Sequence, residues 1–164
     1  MSKHTVLLIA AGIFATLAPS AASACLAPLP VSAEVAAERE RARQADLWTR
    51  SDAVFLAQLS TIEALAAPSP RLQGNRAELA PSLALKGQAP ATRIDIRHTT
   101  LTSCGYLPFL DALSGDRGDW FVVFARDLPD GLLVDATVPV DALIDAEALR
   151  AWRKTADAGS AGPN

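Results

Sequence analysis

The sequence predicts a small antiparallel β-barrel between two helices, on three observations. Strand-like segments, five in all, follow one another at short spacing through the middle of the chain. The most regular of them, WFVVFARD (Trp120 to Asp127), is apolar on both alternating faces, so both sides of its sheet must be covered. A charged stretch free of Gly and Pro precedes the strands, and a short amphipathic one follows them.

The chain opens with MSKHTVLLIAAGIFATLAPSAASA: Lys3 and His4, an apolar run from Val6 to Ala18, then the small residues Ala22-Ser23-Ala24. This is the layout of a secretory signal peptide over residues 1–24, with cleavage releasing a chain that begins at Cys25. The apolar run is about 13 residues long, short of the roughly 20 that span a bilayer as a helix. No second long apolar run follows, so no transmembrane span is expected after signal removal.

Ser32 is placed to cap a helix over Ala33 to Trp48, where Ala, Glu and Arg dominate. SDAVFLAQLSTIEAL (Ser51 to Leu65) reads as a long strand buried for part of its length, and AAPSPRLQGNR as a surface loop. ELAPSLALKG is a further strand that Pro81 limits to an edge or a bulged position. RIDIRHT alternates, with Ile94 and Ile96 on one face. WFVVFARD and LLVDATVPV, joined through Pro129-Asp130-Gly131, form a hairpin. Asp145 is the expected cap of a closing helix, AEALRAWRK, whose Leu149 and Trp152 share a face. The remainder, residues 156–164, reads as a disordered tail.

About 140 residues after the signal make one domain of ordinary size. The formal net charge is −3, and loss of Lys3 makes it one unit more negative. That balance argues against a protein that tracks phosphates along nucleic acid. Two cysteines in an exported chain make a Cys25–Cys104 disulfide the default, worth about 4 kcal/mol for so long a loop. Lipidation is the rival, since Cys25 follows the small residue Ala24; Ala22, however, stands where an acylated cysteine usually has leucine upstream.

His98 is the only histidine after the signal and has no partner at ligand spacing, so neither a side-chain metal site nor a Cys104–His98 catalytic pair is expected. Asp111, Asp116 and Asp119 lack the spacing of a calcium loop and read as turn residues. Arg93, Arg97 and Arg126 read as a solvated strand face, and Trp48, Trp120 and Trp152 as packing residues.

Taken in order, Cys25, SDAVFLAQL (Ser51 to Leu59), LKG (Leu85 to Gly87), TSCGY (Thr102 to Tyr106) and DWFVVFA (Asp119 to Ala125) give the chain a resemblance to the netrin-like modules of the tissue-inhibitor-of-metalloproteinase class, including their bacterial relatives. The resemblance spans most of residues 25–155. It implies an OB-type (Greek-key) five-stranded barrel with flanking helices, a disulfide from Cys25 to Cys104, and a binding module without catalytic residues or cofactor. Relatives often carry a second bridge; here its two places hold Ala27 and the segment around Ala136 and Thr137.

In the animal inhibitors the amine and carbonyl of the N-terminal cysteine chelate the zinc of a protease, and the next side chain enters its specificity pocket. The matching positions are Cys25 and Leu26. The sequence thus leads to a periplasmic or secreted, non-catalytic module that binds a protein or an envelope component. The alternatives are a metalloprotease inhibitor acting through Cys25, and a lipid-anchored envelope protein, at the outer membrane, acylated at Cys25.

The intact mass of the native protein, before and after reduction and thiol alkylation, separates these outcomes. The expected result is a chain starting at Cys25 whose two thiols react only after reduction. Acyl mass at the N-terminus, with Cys104 reacting unreduced, would establish the lipoprotein instead.

Overall fold

A computed structural model describes residues 31–66, 74–98 and 109–160, the last six of these as backbone only. Helix α1 (Ala33–Arg50) begins at Ser32, whose extended backbone turns its Oγ to accept from the Val35 N–H at 3.3 Å. Ion pairs one turn apart, Glu38–Arg41, Glu40–Arg43 and Asp46–Arg50, line its surface. Only Gln44 and Leu47 are buried. The helix runs two residues past the expected Trp48 and stops at Ser51, whose N–H and Oγ both donate to the Leu47 carbonyl.

Five antiparallel strands follow: β1 (Ala53–Leu65), β2 (Gly74–Lys86), β3 (Ile94–His98), β4 (Trp120–Leu128) and β5 (Gly131–Pro139). Their order in the sheet is β3-β2-β1-β4-β5, with β1 in the middle. β1 is buried continuously from Ala53 to Ala57 and again at Leu59. Its alternate residues therefore enter two separate cores. Phe55, Ala57 and Leu59 meet Leu79, Ile96, Phe121 and Val123 inside the curve of the sheet. Val54 and Leu56 meet Val122, Phe124 and Val138 beneath the helices.

Bulges bend the sheet and redirect its faces. The β1–β2 register shifts between Leu56 and Ala57, whose partners are Leu83 and Pro81, leaving Ser82 as the extra residue. Pro81 thus sits beside a bulge and beyond Leu79, the last β2 residue paired to β3, where its missing N–H breaks no ladder. A bulge between β4 and β5 leaves Asp135 unpaired between Val134 and Ala136. It switches β5 from the inner core, which takes Leu132 and Val134, to the helix side, which takes Ala136 and Val138.

The mainly β class, the five strands and the helix at each end stand as expected. The sheet, however, is not closed into a barrel: among the described residues β3 and β5 do not pair. The physical reason lies on the outer edge of β5. There Thr137 donates its N–H to the Phe109 carbonyl at 2.7 Å, and its fully buried Oγ1 accepts from the Ala112 N–H at 2.9 Å. These bonds fasten a short 3-10 turn (Asp111–Ser114) on that edge, and Asn75 of β2 donates to its Leu113 carbonyl at 2.8 Å. The turn, with Leu113 fully buried, fills the opening that a β3–β5 ladder would occupy.

LKG, read as a motif, has a structural explanation. The Lys86 ammonium donates to the Trp48 carbonyl at 2.7 Å and the Ser51 carbonyl at 2.6 Å, satisfying acceptors left over at the end of α1. Gly87 has φ +64°, and a Cβ there would lie 2.3 Å from the Asp52 carbonyl oxygen.

After a 3-10 turn (Val140–Ala142), helix α2 (Ala146–Ser160) packs Ala148, Leu149 and Trp152 on the outer face of the sheet and runs into the segment read as tail. Asp145 caps it, Oδ2 accepting from the N–H groups of Glu147 and Ala148, both at 2.9 Å. Gln44 joins the two helices. Its Oε1 accepts from the Ile144 and Asp145 N–H groups at 2.8 and 3.0 Å, and its Nε2 donates to the Ala142 carbonyl at 2.9 Å and to Glu40 at 2.8 Å. The side chain has no exposure and every hydrogen-bonding position is filled.

Gln44→Ala is expected to cost about 2–4 kcal/mol, because it strips partners from backbone groups in a closed site. Urea unfolding checks this through a lowered midpoint at unchanged slope.

Candidate functional site

The sequence places the first residue of β4, Trp120, directly after the turn residues Gly118 and Asp119. The turn is fixed on β1: the Gly118 N–H donates to the Leu59 carbonyl and the Leu59 N–H to the Asp119 carbonyl, both at 2.8 Å. Phe121 through Ala125 are buried, but Trp120 is 43% exposed. Of the three tryptophans it departs from the packing role expected of them; Trp48 and Trp152 are half-buried against the helix-side core.

Two depressions meet at Trp120 and Val140. One is a cleft of about 500 Å³ whose polar wall holds Asp111, Asp119 and Asp141. The other is a groove of about 330 Å³ with Leu56, Leu83 and Trp152 on its walls and Ser82 as its one hydroxyl. Among the described residues neither lining includes Lys, Arg or His. The surface is therefore apolar on one side of the indole and anionic on the other. Such a pairing holds a ligand by area and orients it by charge.

The carboxylates are not equivalent. Asp119 accepts the Asp116 N–H at 2.8 Å and so shapes its own turn, as expected of a turn residue. Asp111 is half-buried, and burial pushes its carboxyl up from the ordinary range; Arg43 pulls it down by less and Glu40 pushes it up. Arg43 lies behind it, with its guanidinium 5.3 Å from the Phe109 ring centroid and its Nε donating to Glu40 at 2.7 Å. That bond, chiefly, holds the Glu40 carboxyl below the usual range against its own burial, with Gln44 adding a second donor.

A polar cleft of about 420 Å³ lies near the other side of Gly118 and carries Arg93 and Arg117. Arg93 is engaged by Glu78. The cation needed by an anion site there is thus partly neutralised.

Cys25, Leu26 and Cys104 lie outside the described residues, as do the signal segment and most of the loop from Ala66 to Arg76. His98 ends β3, half-buried and opposite Asn75. Arg97 stands near Asp95, and Arg126 is held by Asp135 at 2.6 Å, with Arg93 already paired, so the three arginines form no free basic patch. Among the described residues no group of three or more His, Cys, Asp or Glu is placed to hold a metal ion, and no helix is long and apolar enough to cross a membrane. Sequence reasoning missed the exposure of Trp120; its position next to two turn residues was the available signal. No protein-family model matches the chain, and no curated protein matches it in sequence.

The two shifted carboxyls impose opposite pH dependences. Glu40, held low in the folded state, contributes stability above the ordinary carboxylate range that is lost as pH falls through its depressed value. Asp111, pushed up, favours folding fully below the ordinary range, and that contribution is lost as pH rises through its elevated value. Urea midpoints between about pH 3 and 7 are expected to show a shallower acid loss in Glu40→Gln and a smaller decline toward neutrality in Asp111→Asn.

Proposed function

We propose that the chain is an exported, non-catalytic binding module of the netrin-like type that holds a protein or an envelope component on the surface around Trp120. One observation carries the reading: a large indole exposed at the junction of an apolar groove and an acidic cleft, on a turn hydrogen-bonded to the central strand. Exposed tryptophans on rigid elements are typical anchors of interfaces, since they bury much area at little entropic cost.

The open sheet supports the same reading. A five-stranded, partly open antiparallel sheet is the general form of OB-type modules, which carry unrelated ligands on one scaffold. Export rests on the segment from Met1 to Ala24 and on the cysteine pair.

Chemical crosslinking in the native host tests the proposal. The tagged full chain is expected to yield a discrete crosslinked species, isolated from the envelope or medium, that recurs at fixed mass. A chain that yields no crosslinked partner in the host, or that turns over a substrate in the purified state, would overturn the reading.

A further inference from the structure

We propose that the Trp120 surface takes a peptide segment of a partner protein in which a Lys or Arg side chain stands beside a large aliphatic or aromatic one. The inference rests on the binding-module reading and names the ligand of that site.

Charge complementarity selects the cation. Asp111, Asp119 and Asp141 share one cleft, and no basic side chain among the described residues lines it. The exposed indole adds a second attraction, because a cation laid over a tryptophan face is drawn to its π-electrons. The chain already uses this pairing internally, with the Lys86 ammonium 5.8 Å from the Trp48 ring centroid. A Lys or Arg side chain suits both features at once, its methylenes along the indole and its charged end among the carboxylates.

The groove on the other side of Trp120 selects the neighbour. Leu56, Leu83, Val140 and Trp152 offer apolar walls with a single hydroxyl, so an aliphatic or aromatic side chain is matched there and a charged one is not. Trp120 and Val140 line both depressions, which places the two specificities side by side.

Other occupants conflict with the charge. A two-fold dimer through this face would bring the aspartates of both copies together. Anionic lipid headgroups and nucleic acid meet the same repulsion, on a chain already at net −3.

The test uses the full chain and fluorescein-labelled decapeptides that combine Lys or Arg with Leu or Phe. Two control sets replace the cations with Glu or the apolar residues with Ser. Fluorescence polarisation is expected to show micromolar binding of the first set, weakened by salt, and binding at least about tenfold weaker for both controls. Trp120→Ala is expected to reduce affinity about tenfold or more, and Asp141→Asn about threefold. Trp120 and Asp141 are exposed, and circular dichroism verifies that both variants remain folded.

Equal binding of the Glu set, indifference to Trp120→Ala, or no binding of any set would overturn the proposal. So would a dimer dispersed by Trp120→Ala in sedimentation, or capture of the chain by anionic vesicles through this face. Repeating the host crosslinking with Trp120→Ala separates the two levels: a partner retained by the variant removes this surface and leaves the module reading, whereas a chain with no partner in either form removes both.

Discussion

Strand β1 is hydrogen-bonded along both edges and buried on both faces from Ala53 to Ala57, which obliges the rest of the chain to supply two unrelated covers. On one face the sheet curls over itself, helped by bulges, and the 3-10 turn at Asp111–Ser114 completes the enclosure. The other face needs a lid from outside the sheet. Two helices separated by the whole length of the sheet sequence provide it, and they must be held to each other as well as to the strands.

That second attachment is mostly polar. α1 contributes Leu47 as its one fully buried apolar residue, worth about 2–3 kcal/mol in transfer terms. Trp48 packs beside it, half-buried, and the polar grip comes from Gln44 at the α2 end and Lys86 at the sheet end. Apolar burial tolerates sliding, whereas these bonds set an angle and a register. The geometry of the groove beside Trp152 follows from where they hold α2.

The strands, their pairing in a hairpin and both helix caps were legible because each depends on local alternation or on one capping residue. Ser32 and Asp145 cap as their side chains dictate, and Ile94 and Ile96 face the same core. The openness of the sheet was not legible, since it depends on Thr137 and Asn75 meeting backbone groups far away in sequence. Gln44 gave no signal either: in a helix rich in Glu and Arg, a buried amide reads like any other polar residue. For the candidate surface, Asp111 and Asp119 were visible as turn residues and the indole as an apolar position on β4, while Asp141 carried no signal. That they share one depression depends on where Val140 and α2 stop covering the sheet, which no local pattern encodes.

The bonds of Gln44 to Ala142, Ile144 and Asp145 span 98 to 101 residues of chain. Closing so long a loop carries an entropic cost that no contact local to α1 bears. Leu47, Trp48 and Lys86 hold α1 to the sheet by themselves, whereas its tie to α2 requires the residues that follow β5. A chain ending before Ala142 would leave Gln44 with Glu40 as its one remaining partner of the four, so the two ends of the described chain depend on each other to satisfy their polar groups.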